Sequence, residues 1–236
     1  MPKEKTIWVT GASGGLGIPV SSRLLEEGWR VFALVHHRKG AATLKRHFPY
    51  AYGKQLSCVM ADLTDPALIE KIGTKAPFPD AVVHLAGGFQ GAATLAEHTP
   101  EVFDQMFHLN VRSAFLLLRT LLPGMKEKKR GAIVTIGARP AVHPGEGNAA
   151  YAASKAALIN LTLSIAEEGR AFGVRANVVV PAVIRTPANA QWASSEKETE
   201  KWTPPEDIAR VVAWLVSEAG ASVTGTVIPM YHGLKP

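Results

Sequence analysis

The chain of 236 residues contains one cysteine, Cys58, and this excludes an intrachain disulfide. Its apolar neighbours Leu56 and Val59 predict a buried structural thiol rather than a nucleophile, in a reducing compartment. The sequence also lacks HExxH and CxxC motifs, and its eight histidines are dispersed. We therefore predict no metal site.

Long apolar runs and extended charge clusters are lacking as well. No stretch of about 18 apolar residues occurs, and the first residues lead into a strand-like run without the apolar region of a signal peptide. These absences predict a cytoplasmic chain with no membrane partner. The net charge is +6, but the basic residues are scattered, and the run from Lys126 to Arg130 is typical of a solvated helix end. We expect small anionic ligands rather than nucleic acid.

Short β-branched runs alternate with longer amphipathic stretches along the chain. Each run is nearly continuous in hydrophobicity, which predicts strands buried on both faces of a parallel sheet. The predicted strands are 6–10, 30–35, 56–60, 81–86, 132–137, 175–180 and 225–230, and the predicted helices lie near 15–27, 66–73, 100–122, 149–171 and 205–218. The alternation implies right-handed crossovers. The predicted fold class is α/β, a single-domain, Rossmann-type, doubly wound parallel sheet of about seven strands with helices on both faces.

The domain organisation is predicted to be simple. No internal repeat or linker is found, so residues 1–236 are expected to form one domain. The most irregular region, 182–204, follows a predicted strand and is rich in Ala, Ser, Thr and Glu, which is typical of a substrate lid. Helices 100–122 and 149–171 carry more apolar residues than a sheet contact requires, which predicts a homodimer or homotetramer.

A glycine-rich loop follows the first predicted strand. The segment "TGASGGLG" places Gly11, Gly15 and Gly17 before a helix, where a sharp turn must bring backbone amides close to a pyrophosphate. The third strand ends in "ADLTD", so the Asp62 carboxylate could accept a hydrogen bond from an adenine amino group. A glycine-rich loop alone is also compatible with a simple strand-to-helix turn.

Taken in order, these motifs and four later ones resemble those of the short-chain dehydrogenase/reductase family. The later ones are "LAGG" (85–88), Asn110, "YAASK" (151–155) and "PAVIRT" (181–186). Two departures are Leu85, in place of the Asn of the family's NAG segment, and Ala182, in place of the Gly of its PG segment. The resemblance covers nearly the whole length and implies an NAD(P)-dependent oxidoreductase. The residues that the resemblance implies at the cofactor are Gly11, Ser13, Gly15, Leu16, Gly17, Asp62, Leu63, Ala86, Gly87, Lys155, Pro181, Val183 and Thr186.

The end of the second strand bears on the choice between NADPH and NADH. An acidic residue there would accept both ribose hydroxyls of NAD, but this sequence has Val35. Four basic residues follow and are suited to a 2′-phosphate: His36, His37, Arg38 and Lys39. The same residues would also be compatible with a basic turn that is simply solvated. The prediction is NADPH, with NADH possible.

Tyr151 and Lys155 are one helical turn apart, so their side chains share a face and a nearby ammonium would lower the pKa of the phenol. By the resemblance, Tyr151 is the general acid/base, Lys155 orients the nicotinamide ribose, and Asn110 holds a proton-relay water. The family's serine, thirteen residues before the tyrosine, is replaced by Ala138. Thr135 lies three residues before Ala138, too early to replace the serine without a shift of register.

One branch of the family, dihydropteridine reductase, lacks that serine and shares local motifs with this chain: "LAGGF" (85–89), "TIGA" (135–138), "RTPAN" (185–189) and "KWTPPED" (201–207). Its quinonoid substrate takes hydride into a conjugated system without forming a localised alkoxide. Against a simple transfer, that branch prefers NADH and carries an Asp where this chain has Val35. The residues expected at the substrate are Ala138, His143, Tyr151 and Trp192, although solvation of His143 and packing of Trp192 are the alternatives.

Three functions follow from these observations. The leading hypothesis is an NAD(P)H-dependent reductase of a pterin-like conjugated substrate. The alternatives are a carbonyl or 3-oxoacyl reductase, in which a water or His143 replaces the serine, and a redox-silent dinucleotide-binding regulatory protein. Retention of Tyr151, Lys155 and Asn110 together disfavours the silent protein.

Overall fold

The computed structural model describes residues 4–234, and the predictions for residues 1–3 and 235–236 lie outside this range. Seven parallel strands form one sheet in the order 3-2-1-4-5-6-7, which confirms the predicted α/β fold. The strands are β1 Thr6–Thr10, β2 Arg30–Val35, β3 Leu56–Met60, β4 Ala81–His84, β5 Gly131–Ile136, β6 Val174–Pro181 and β7 Val227–Met230.

Helices connect the strands and cover both faces of the sheet. The helices are α1 Gly17–Glu26, α2 Arg38–His47, α3 Pro66–Lys75, α4 Pro100–Phe107, α5 Ser113–Glu127, α6 Ala149–Arg170, α7 Pro187–Ala190, α8 Glu196–Thr199 and α9 Pro205–Val216. The sequence did not predict α2, because Leu44 is the one residue that this basic helix buries and its apolar stripe is therefore short.

One predicted helix is wrong in its extent. The helix predicted at 100–122 is two helices, since a π-helical turn, His108–Arg112, separates α4 from α5, which then continues to Glu127. Before α9, the Thr203 hydroxyl donates to the carbonyl oxygen of Met230 at 2.7 Å, and Pro204 occupies the N-cap position.

The core consists of one apolar layer on each face of the sheet. Ile7 and Val9 of β1 pack with α1, α2 and α9, whereas Trp8, between them, packs with α3, α5 and α6. This alternation follows from the two-residue period of a strand. Cys58 is half-buried rather than buried, and its Sγ lies 2.9 Å from the Tyr52 hydroxyl.

By length and composition, α6 is apolar enough to cross a membrane. Its residues Leu158, Ile165 and Ala166 are buried in the core layers, however, and the helix packs along β6. This is the burial pattern of a core helix.

Candidate active site

The strand order reverses between β1 and β4, and a crevice opens where their carboxyl ends diverge. This crevice holds a cavity of about 620 Å³. Its walls are the glycine-rich loop, the ends of β2, β3 and β4, and the π-helical turn. The lining residues are Gly11, Ser13, Gly14, Leu34, Val35, His36, His37, Lys39, Gly40, Ala61, Asp62, Leu63, Thr64, Leu85, Ala86, Gly87, His108, Leu109 and Ser113.

The glycine-rich loop has the tight geometry that the sequence predicts. Gly11 has φ +66°, and a Cβ there would lie 3.0 Å from the Ala86 backbone nitrogen. A Cβ on Gly17 would lie 2.1 Å from the Gly11 carbonyl oxygen. α1 begins without a side-chain cap at Leu16. The Ile18 amide donates to the Gly14 carbonyl oxygen at 3.1 Å and Pro19 has no amide proton, so an anion would be bound by the amides that precede Ile18 at the helix N-terminus. The loop therefore fits the pyrophosphate of a dinucleotide.

The outer end of the cavity brings β2 and the glycine-rich loop together. A Cβ on Gly40 would lie 2.9 Å from Ser13 Oγ and 3.3 Å from Val35 Cβ. On the opposite wall, Asp62 Oδ1 accepts from the Thr64 hydroxyl at 2.6 Å and the Thr64 amide at 2.9 Å. These two bonds hold the pKa of Asp62 below its usual value. The carboxylate is charged, and its Oδ2 can accept from a further donor.

Of the four basic residues predicted at a 2′-phosphate, three line the cavity. His36 and His37 do so with their ring centroids 4.1 Å apart, and Lys39 lies beside them. Arg38 begins α2 and is not among the lining residues, and its contact with the cofactor stays a prediction. The helical turn after His37 directs successive side chains to different sides.

Tyr151 and Lys155 lie on the first two turns of α6. Lys155 is buried, and its Nζ donates to the Ile136 carbonyl oxygen at 2.8 Å. Burial lowers the pKa of Lys155 to about 8 and raises the pKa of Tyr151 to about 12. The expected lowering of the phenol pKa is therefore wrong for the ligand-free chain, because burial disfavours the charged phenolate.

Asn110 lies on the π-helical turn and is fully buried. Its Nδ2 donates to the Gly88 carbonyl oxygen and to Ser154 Oγ, both at 3.0 Å, and its Oδ1 accepts from the Gly88 amide at 2.9 Å. The side chain thus ties the turn after β4 to α6. Because both amide hydrogens are bonded to protein groups, the predicted relay water would have to bind Asn110 through its oxygens.

Ala138 is buried just beyond β5, where the family places its serine. The nearest threonine and serine in sequence, Thr135 and Ser154, have hydroxyls that are bonded elsewhere. Thr135 Oγ1 pairs with Thr162 Oγ1 at 2.9 Å, while Ser154 Oγ donates to the Tyr151 carbonyl oxygen at 2.7 Å. Neither replaces the serine without a change of partner.

One aromatic side chain, Phe89, contacts the Tyr151 ring, and a second, Trp192, contacts Phe89. Phe89 packs edge-on against Tyr151 with centroids 4.9 Å apart, and Trp192 lies 5.4 Å from Phe89. Phe89 and Trp192 remain 46% and 62% exposed, so both rings can contact a ligand. His143 is exposed and packs against Tyr231 at 5.8 Å.

The region 182–204 begins where β6 ends, at Pro181, and contacts the glycine-rich loop. Thr203 N donates to the Val183 carbonyl oxygen at 2.9 Å, and Ile184 and Thr203 form a short parallel bridge. Thr186 meets the glycine-rich loop, since a Cβ on Gly15 would lie 2.8 Å from the Thr186 Cβ. Pro181, Val183 and Thr186 are not among the residues that line the cavity. Trp202, at the end of the region, is buried and serves packing.

Sequence reasoning missed several lining residues. Leu85 was considered only as a departure from the NAG segment. His108, Leu109 and Ser113 carried no signal, because the π-helical turn that presents them was predicted as ordinary helix.

The fold and the site together define a dinucleotide-binding oxidoreductase of the α/β class. The family model for short chain dehydrogenase matches residues 5–197, and the chain belongs to this family.

The relatives are full-length matches. An acetoacetyl-CoA reductase from Acinetobacter sp. (strain RA3849) is 31% identical over 99% of each chain. A 3-oxoacyl-[acyl-carrier-protein] reductase from Escherichia coli (strain K12) is 30% identical over 98% of this chain and 97% of its own. The crystal structure of an oxidoreductase (short chain dehydrogenase/reductase family) from Burkholderia thailandensis is 32% identical. It superposes with a TM-score of 0.86 over 98% of this chain and 92% of its own. None of these three relatives is named as a dihydropteridine reductase.

Proposed function

We propose that this chain is an NADPH-dependent reductase in which Tyr151 donates a proton to the substrate. The observation that carries the proposal is the position of Gly87. It lines the cofactor cavity, and a Cβ there would lie 2.5 Å from Asn110 Oδ1 and 3.4 Å from Lys155 Nζ. The cavity that suits a dinucleotide therefore ends beside the residues that suit proton transfer.

Different residues of the cavity would bind different parts of the cofactor. The glycine-rich loop would hold the pyrophosphate, Asp62 the adenine, and His36, His37 and Lys39 a 2′-phosphate. When bound, the nicotinamide supplies the hydride. Lys155, held by Ile136, would orient the nicotinamide ribose.

Tyr151 suits the direction of reduction. Because burial raises its pKa to about 12, the phenol is protonated at neutral pH and has a proton to give. Desolvation also strengthens its interaction with charge that develops on the substrate.

The comparisons favour a carbonyl substrate, in particular a 3-oxoacyl thioester. Two relatives that share about three residues in ten over their whole lengths are named for that activity. In this chain the substrate oxygen would be held by Tyr151 and by a bound water, since the position of the serine is Ala138. This candidate agrees best with the relatives.

A second candidate is a planar conjugated acceptor such as a quinonoid dihydropterin. Two local observations favour it. Ala138 offers no donor to an alkoxide, and Phe89 with Trp192 forms an exposed aromatic surface beside Tyr151. A ring that accepts hydride into a conjugated system needs less stabilisation at one oxygen and can stack on these aromatics.

The experiment measures oxidation of NADPH and NADH with acetoacetyl-CoA, a panel of ketones and a quinonoid dihydropterin, with Tyr151→Phe as control. Turnover of the thioester alone supports the first candidate, and turnover of the pterin alone supports the second. Tight cofactor binding without reduction of any substrate would favour the redox-silent protein. Tighter binding of NADH than of NADPH would contradict the assignment of the basic residues.

The region 182–204 is proposed as the substrate lid, because it carries Trp192 to the aromatic surface and Thr186 to the glycine-rich loop.

We also propose that the protein is a cytoplasmic homodimer or homotetramer. Phe103 of α4 and Phe115 of α5 are each 46% exposed, and a groove lined by Phe107, Val111 and Leu161 lies beside Phe115. Sedimentation analysis tests the assembly.

A further inference from the structure

A buried histidine precedes Leu85, a lining residue of the cofactor cavity, and has no part in the roles above. His84 ends β4 and is 1% exposed. Its Nδ1 lies 3.1 Å from Thr10 Oγ1, and its Nε2 lies 3.4 Å from Ser113 Oγ. Both partners adjoin site elements, since Thr10 precedes the glycine-rich loop and Ser113 follows the π-helical turn.

Counting donors and acceptors fixes the direction of these bonds. Thr10 Oγ1 accepts from the backbone amides of Leu85 and Ala86, each at 3.1 Å. A hydroxyl has two lone pairs and one proton, so the Thr10 proton must go to His84 Nδ1. At the other end, the Ser113 hydroxyl donates to the Leu109 carbonyl oxygen at 2.6 Å. Ser113 is therefore an acceptor toward the ring, and the ring proton lies on Nε2.

From this arrangement we infer that His84, held as the neutral Nε2–H tautomer, is a positioning residue for the cofactor. It completes one directed chain of hydrogen bonds, from the amides of Leu85 and Ala86 through Thr10, His84 and Ser113 to Leu109. The chain fixes the turn at 85–87 where that turn lines the cavity, and it joins this turn to the helix segment that carries Asn110.

The electrostatic surroundings agree with a neutral ring. Burial, and then the positive charge of Lys155, lower the pKa of His84 to about 3. A protonated ring would also need an acceptor at Nδ1, where the Thr10 hydroxyl has both lone pairs occupied by backbone amides. The inference rests on the proposed function only where cofactor affinity is concerned, because the tautomer is a property of the ligand-free protein.

The first test is nitrogen-15 NMR of the histidine rings in the ligand-free protein. The expected spectrum shows the His84 ring with Nε2 protonated and Nδ1 unprotonated at neutral pH. An Nδ1–H tautomer or an imidazolium would overturn the inference. This measurement needs no variant and no substrate, and it stands even if the protein does not bind NADPH.

The second test is NADPH affinity, followed by cofactor fluorescence, in three variants. His84→Leu leaves the Thr10 proton unpaired and should weaken binding roughly tenfold. His84→Asn keeps an acceptor for Thr10 and should recover most of the affinity. Val82→Ala, on the same strand and face, lowers stability without touching the chain of bonds and should leave affinity within about twofold.

The pattern of these affinities decides the role. Equal affinity in His84→Leu and the wild type would overturn it, as would equal losses in His84→Leu and Val82→Ala, which indicate general destabilisation. If the wild type itself fails to bind NADPH, the proposed function fails, while the NMR result still decides the tautomer.

Discussion

The ring of Phe89 stands edge-on to the ring of Tyr151, at an interplanar angle of 85° and a centroid distance of 4.9 Å. The contact places an exposed aromatic ring from the turn after β4 against the proposed proton donor on α6. Trp192 extends this surface from the region 182–204. Three separate segments of the chain thus contribute to one aromatic wall beside the proposed proton donor.

Replacement of Trp192 by Ala removes the outer part of this wall. We expect KM for a ring-containing substrate to rise about two- to tenfold with little change in kcat, because an aromatic contact contributes to binding rather than to proton transfer. Steady-state kinetics measure the effect. Trp214→Ala, an exposed tryptophan on α9, is the matched control and should leave KM unchanged. A fall in kcat alone would contradict the role.

Tyr151→Phe removes the phenolic proton while keeping the ring that Phe89 contacts. Reduction should fall by roughly 10²- to 10⁴-fold, as for loss of a general acid, while NADPH affinity stays within about twofold. Stopped-flow hydride transfer and fluorescence titration measure the two quantities separately. Undiminished reduction would mean that another group supplies the proton.

Ala138→Ser restores a hydroxyl at the end of β5. For a ketone or thioester substrate, the new donor should raise kcat by about tenfold, since a single donor to a developing oxyanion is worth this much or more. A conjugated acceptor should gain little. The ratio of the two rates in wild type and variant therefore identifies the substrate class, and an equal gain for both would show that Ala138 does not discriminate between them.

Much of this site could be predicted because its residues follow the ends of strands. Buried strands can be recognised in the sequence as continuous apolar runs. Gly11, Asp62 and Gly87 line the cavity as their positions after β1, β3 and β4 predicted. The helix α2 was not predicted, because a helix that buries a single residue leaves almost no periodic signal. Contacts between distant segments, such as that of Phe89 with Trp192, leave no trace in local patterns.

The basic residues after β2 should set the cofactor preference. Lys39→Ala should weaken NADPH binding about tenfold and leave NADH binding nearly unchanged, because only the 2′-phosphate accepts its charge-assisted bond. The difference in NADPH affinity between the wild type and Lys39→Ala should decrease at high salt, because Lys39 is exposed and its charge is screened. Lys45→Ala, also on α2 but outside the cavity, serves as the control. Equal losses for both cofactors would indicate an effect on the loop rather than on the phosphate.

His84 should make the fold sensitive to acid. Its folded-state pKa of about 3 lies below its ordinary value of 6.5, so the unfolded chain binds the proton first. Above pH 6.5 neither state is protonated at this ring and stability is unaffected. As the pH falls from 6.5 to 3, the free energy of unfolding should decrease by about 1.4 kcal/mol per pH unit from this group. Carboxylates titrate in the same window, so the comparison must be with His84→Asn, which cannot titrate and keeps an acceptor for Thr10. Urea unfolding at a series of pH values should give a shallower acid slope for the variant by up to one proton, and parallel slopes would contradict a buried neutral ring at position 84.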